Sequence, residues 1–194
     1  MSPWFRPFVW LDYRLALIFT IILPLILLIW AFMQKADAIQ RLLTIYWQVA
    51  SLLAITIYLM IGGFAVSFIS GFIAQILLPI SLWFWDDLND EIQFHTYGPL
   101  KLVFSSWRWA TTIYCVLGMV AFIPFLSCAF SGDSWKTPYC SVWLEAPLLY
   151  KDFFHHSSKP AFLGFLGIIA LAVYVVYLSY FVMFKLGKQG RSTT

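Results

Sequence analysis

Three aspartates in the stretch WFWDDLNDE stand at the spacing Asp86-Asp87-x-x-Asp90, with Glu91 directly after them. Two adjacent carboxylates and a third one helical turn later share a face, and their hard oxygens suit a magnesium ion. Magnesium-dependent diphosphate chemistry uses this spacing, but it needs further carboxylates and basic groups converging on the anion. No second acidic cluster exists: Asp12, Asp37, Asp133, Glu145 and Asp152 stand singly. The competing reading is a solvated helix end, anchored at a membrane surface by Trp83 and Trp85. That reading is preferred. No metal, other cofactor or catalytic residue is expected, and Asp86, Asp87, Asp90 and Glu91 are retained as a candidate docking surface for a partner.

The remaining reactive residue types are sparse. His155 and His156 are adjacent, so on a helix their side chains diverge by about 100° and chelate poorly. No His-Glu-x-x-His pattern of a zinc protease is present. His95, beside Tyr97, reads as an ordinary connector histidine. Cys128 and Cys140 lie twelve positions apart. On an oxidising side of a membrane they would close a small disulfide loop, and on a reducing side they would stay as two thiols. Cys115 reads as a small apolar filler.

The elements that must position these residues follow from composition. Hydrophobic residues make up 62% of the chain and charged residues 11%, against about 45–50% and about 25% in a soluble domain. Too little polar surface is available to cover a water-soluble globule. The expected class is all-α, a polytopic bundle of transmembrane helices forming one domain over 1–194, with the lipid bilayer as its first partner. Ten Trp and ten Tyr suit several membrane interfaces. A net charge of +3 gives no support for nucleic-acid binding.

Four or five spans are expected, with five favoured: about 15–33, 44–61, 66–85, 110–128 and 161–184. The first run exceeds the roughly 7–15 residues of a signal-peptide core and holds Trp30 and Phe32, so a retained span is expected despite the cleavage-like Ala36-Asp37-Ala38. Pro24 is expected to kink it. Leu42 to Trp85 is a 44-residue run without Lys, Arg, Asp, Glu or His, about 66 Å as one helix and roughly twice the hydrocarbon thickness. Gly62-Gly63 near its midpoint suits a hairpin. Tyr46-Trp47 and Trp83/Trp85 would then mark one interface. The alternative is one span and a re-entrant or interfacial helix. Asn89 to Trp109 reads as a polar connector with a short amphipathic piece, and 127–160 as an outer polar loop in which Pro138 and Pro147 break any long helix.

Orientation follows from Lys and Arg counts. With five spans one side holds Lys35, Arg41, Lys101, Arg108, Lys185, Lys188 and Arg191, and the other Arg6, Arg14, Lys136, Lys151 and Lys159. The richer side carries the C-terminus and the acidic stretch and is expected to be cytoplasmic. No ionisable residue falls inside the proposed spans, which argues against a pump or proton relay. Small residues at Gly62, Gly63, Ser67, Ser70, Gly71 and Ala74, and at Gly164 and Gly167, with Tyr174, Tyr177 and Tyr180 beyond, suit close helix packing, within the chain or against another membrane subunit or a pigment.

The segments PWFRPFVWLDYRLALIFT, ILPLILLIWAF, IQRLLTIYWQVASLLAITIYLMIGG and ISLWFWDDLNDEI together resemble an uncharacterised family of small integral membrane proteins of cyanobacteria. The resemblance implies a photosynthetic organism and a thylakoid or plasma membrane. It implies no activity and no site residues. Three functions are weighed. The favoured one is a non-catalytic accessory or assembly protein of a membrane complex, with a photosynthetic complex suggested by the resemblance. The alternative is a small oligomeric transporter or channel component, whose path would be lined by Gln48, Ser51, Thr56, Gln75 and Ser81. The third is a magnesium-dependent membrane enzyme using Asp86, Asp87 and Asp90. Intramembrane prenyl transferases share that one motif only, since they carry a second acidic motif and a longer bundle.

Overall fold

The computed structural model describes residues 3–95, 98–130, 137–181 and 183, and among them the secondary structure is helical, with no strand. Five helices are long and apolar enough to cross a membrane: Arg6–Met33, Asp37–Ile61, Val66–Trp83, Pro99–Phe130 and Pro160–Tyr180, hereafter the first to fifth spans. The uncharged run from Leu42 to Trp85 is therefore a hairpin and not a re-entrant segment. Its turn is built on Gly63, whose φ of +71° lies in the left-handed region. The Gly63 N–H bonds to the Met60 carbonyl and the Phe64 N–H to the Leu59 carbonyl, both at 3.0 Å. This reciprocal pair satisfies two of the carbonyls that a helix end leaves open. Lys35 takes the same conformation at the turn between the first and second spans, at φ +53°.

Several boundaries differ from the sequence reading, for one physical reason. Hydropathy reports depth in hydrocarbon, whereas a helix continues until something stops it. The first helix begins at Arg6, not near residue 15, so Asp12 and Arg14 are helical. The fourth begins at Pro99, so Leu100 to Trp109 is the foot of that span and not a separate connector piece. Proline at its start costs nothing, because the first N–H groups of a helix have no partner anyway. The second begins at Asp37, placing Tyr46 more than two turns inside. Tyr46 is fully buried and so is a core residue, not an interface anchor. The described residues of 127–160 include short helices at Pro138–Ser141 and Glu145–Phe154. Asp133 and Lys136, like Tyr97 and the tail residues Lys185, Lys188 and Arg191, lie outside the described residues.

Pro24 acts through hydrogen-bond register. The chain is π-helical over Leu17–Ile22, and the Leu23 N–H reaches back to the Ile18 carbonyl. The Phe19 carbonyl loses its usual partner, Leu23, and the Thr20 carbonyl faces Pro24, which has no N–H. Both are satisfied from other helices. Trp107 Nε1 donates to the Phe19 carbonyl at 2.8 Å and the Tyr46 hydroxyl to the Thr20 carbonyl at 2.9 Å.

Packing fills in around these bonds. The second span is central and packs most extensively on the third and fifth. One apolar cluster joins Leu27, Leu42, Tyr46, Leu82, Phe104 and Trp107 toward the end that carries the acidic stretch. A second joins Val9, Phe68, Phe122, Cys128, Cys140 and Trp143 at the opposite end. Lipid tails are as apolar as leucine, so contact between helices here rests on close fit and hydrogen bonds. Glycine supplies the closest fit. A Cβ placed on Gly164 would lie 2.6 Å from the Gly62 Cα, so the second and fifth spans cross backbone to backbone. The small residues of the third span are used the same way, within the chain. Ser67, Ser70 and Ala74 are buried, and the Ser70 hydroxyl meets that of Thr56 at 2.9 Å.

Candidate functional site

The acidic stretch forms a helix, Asp86–His95, with Asp86 and Asp87 in its first turn, where carboxylates complement the positive end of the helix dipole. Its apolar side is held down: Ile92 is buried and Leu88 packs on the core cluster. Asn89 fixes its angle. The Asn89 Nδ2 donates to the Trp83 carbonyl at 3.2 Å, and the Asn89 Oδ1 accepts from Arg108 of the fourth span. The Arg108 guanidinium lies 3.9 Å above the Trp83 ring, a stacking geometry that suits a planar, weakly hydrated cation. Trp83 Nε1 in turn donates to Thr112 Oγ1 at 2.9 Å, and the Lys101 ammonium donates to the Gln93 carbonyl. Trp83 thus ties the acidic helix to the fourth span, through Thr112 and Arg108.

This clamp leaves Asp86, Asp87 and Asp90 exposed and Glu91 half-buried. Among the described residues no group of three His, Cys, Asp or Glu side chains is placed to hold a metal. The surroundings supply an aromatic-stacked arginine, not a ring of convergent ligands. The arrangement offers an exposed anionic face on a rigid helix, which can meet a cationic surface.

The other singled-out residues are dispersed. Tyr58 Oη and His155 Nε2 are 2.9 Å apart, tying the Glu145–Phe154 helix to the second span, while His156 is exposed. Both histidines lie just past the end of that helix. Cys128 and Cys140 are joined by a disulfide with Cα atoms 6.0 Å apart, and Cys115 is a buried thiol. The residues weighed as a channel stripe do not share a face: Gln48 and Ser51 are exposed, Thr56 and Ser81 are buried, and the Thr56 and Ser81 hydroxyls bond to carbonyls of their own helices. Of the three tyrosines on the last span, Tyr174 is buried, whereas Tyr177 and Tyr180 are exposed.

Two arrangements went unseen in the sequence. Asp12, one of the scattered acids, accepts from the Tyr114 hydroxyl at 2.9 Å. Glu145 accepts from Arg6 Nε at 2.9 Å and from Trp10 Nε1 at 3.0 Å. The available signal was the absence of any Gly or Pro between Pro7 and Pro24, which carries the first helix past its apolar run and puts Arg6, Trp10 and Asp12 on it.

The pattern of a family described as a protein of unknown function, DUF3177, matches residues 6–194. The chain belongs to this family. Family membership covers all five spans and the disulfide-linked segment, so they form one unit of descent. No match was found among curated proteins, and none among solved structures.

The disulfide gives the family's segment 127–160 its expected stability test. With the cysteines twelve positions apart, loop-closure entropy puts the bond at about 3 kcal/mol. Cys128→Ser, or a reductant added to the native protein, is expected to lower the thermal midpoint in detergent. Identical melting with and without reductant would show that the bond contributes nothing.

Proposed function

We propose that the protein is a non-catalytic accessory or assembly subunit of a larger membrane complex, in a thylakoid or plasma membrane of a cyanobacterium. The Asp86–His95 helix and the C-terminus face the cytoplasm in this reading, on the side richer in Lys and Arg. One observation carries it. The Trp85 and Phe181 rings meet edge to face, with centroids 6.0 Å apart, so the end of the fifth span abuts the start of the acidic helix. The exposed membrane face of that span, with Val173, Val176, Tyr177 and Tyr180, therefore runs into the exposed carboxylates of Asp86, Asp87 and Asp90. A composite surface, apolar and tyrosine-bearing in the membrane and anionic beside it, suits a partner helix that has a basic flank.

The experiment is solubilisation in a mild detergent, separation on a native gel and identification of co-migrating chains. Co-migration with a large complex, lost when Asp86, Asp87 and Asp90 are all changed to alanine, is the expected result. A lone homo-oligomer would overturn the reading in favour of a transporter or channel component. Intact, partner-bound triple variant that has lost a magnesium-dependent activity would revive the enzyme reading.

A further inference from the structure

Arg6, Trp10 and Arg14 recur every fourth residue along the first span, on one helical face, and with Pro7 and Leu11 they line a shallow concavity. We propose that this strip binds the headgroup of an anionic lipid. The depth of the strip is set by its neighbours. The Tyr13 hydroxyl meets the Met60 sulfur at 3.2 Å, one residue before the second span ends at Ile61. Side chains on a helix lean toward its start, so the Arg14 backbone lies below the turn between the second and third spans and its side chain reaches back toward it, to the edge of hydrocarbon. Arg6 lies eight residues further out, about 12 Å along the helix, against a headgroup layer of about 5–8 Å per leaflet. The strip crosses that layer.

Charge then decides the ligand. Arg14 is exposed, and among the described residues it forms no ion pair. A guanidinium at this depth sits at headgroup level, where an anionic lipid is the counter-charge at hand. The nearest acids are already committed, Asp12 to Tyr114 and Glu145 to Arg6 and Trp10. Glu145 engages Arg6 through Nε alone, leaving the two terminal amino groups for another acceptor. A planar fork of that kind fits a phosphate or sulfonate. The face continues inward as Ile18, Ile21, Ile22 and Leu25, all exposed, which gives acyl chains a surface to lie on.

The test is native mass spectrometry of the full chain in mild detergent, supplemented with phosphatidylglycerol or phosphatidylcholine. Wild type is expected to retain phosphatidylglycerol selectively. R14Q should weaken that retention about fivefold and R6Q/R14Q about 25-fold, the effect of one or two charges near an anionic lipid. R14K should keep most of it. Arg14 is exposed, so R14Q should stay folded, which is read from an unchanged thermal midpoint. Equal retention of the two lipids by wild type, or full retention by R14Q, overturns the proposal. Displacement of the lipid by millimolar inorganic phosphate would also overturn it, since the site would then be one for a free anion.

Discussion

Gly164→Leu is expected to detach the fifth span from the second. Carbon atoms rest at about 3.5–4.0 Å, yet even the first side-chain atom at this position would sit 2.6 Å from the Gly62 Cα and 2.8 Å from the Phe64 ring. The ring can turn aside, but the Gly62 backbone closes the second-span turn and cannot. Overpacking relieved by side-chain movement costs about 1–3 kcal/mol. A collision between two backbones belongs at or above the top of that range. Because the fifth span packs mainly on the second, it has little else to hold it. Gly167→Ala should do less, since its nearest neighbours would be 3.1–3.2 Å away. The measurement is thermal stability in detergent, together with limited proteolysis near residue 160. A G164L protein as stable and protease-resistant as wild type would refute the crossing. Loss of the crossing also removes the Trp85–Phe181 contact, so G164L should abolish co-migration with a partner even though every aspartate remains.

The second large effect concerns the two carbonyls set free at Pro24. Inside a bilayer no water replaces a lost donor, and an orphaned buried acceptor costs about 1–3 kcal/mol. Tyr46→Phe removes the donor to Thr20, and Trp107→Phe the donor to Phe19. Each is expected to destabilise by about that amount, with Trp107→Phe adding a packing loss because the indole is buried. The decisive background is Pro24→Ala. Alanine restores an N–H opposite the Thr20 carbonyl, a backbone donor beside the hydroxyl of Tyr46. Tyr46→Phe should therefore cost clearly less in P24A than in wild type, a coupling that a double-mutant cycle measures directly. Equal cost in both backgrounds would show that proline and tyrosine act independently.

These two sites show what was legible in the sequence. Five helices and the Gly62-Gly63 hairpin were legible, because a 44-residue run free of charge has few ways to fit a bilayer. The partners of the glycines were not: small residues announce a close approach without saying to what. Pro24 announced a disturbance, but nothing local identifies Tyr46 and Trp107, which lie 26 and 88 positions from the carbonyls they serve, as the donors. Tyr46 is ambiguous in the sequence because aromatics have two uses in membranes, and an apolar run alone does not mark where its helix starts. Pro138 and Pro147 allow no long helix in 127–160, but each sits in the first turn of a short one: Pro138 opens Pro138–Ser141 and Pro147 is the third residue of Glu145–Phe154, where a missing N–H breaks no helical bond. For the acidic helix, its exposure was legible from composition. Its clamp by Arg108, which needs the third and fourth spans side by side, was not.

The bonds that fasten the beginning of the chain have a temporal meaning. Arg6 waits for Glu145, 139 residues downstream, and Tyr13 for the Trp143 carbonyl, 130 downstream. At about 5–20 residues per second of synthesis, the first helix spends roughly 7–28 s in the bilayer before its final contacts exist. During that interval Arg6 and the Trp10 indole lack their Glu145 partner, and lipid headgroups are the acceptors within reach. The protein therefore closes from its last-made parts back onto its first, and a nascent chain truncated before residue 143 should leave its N-terminal helix unlatched.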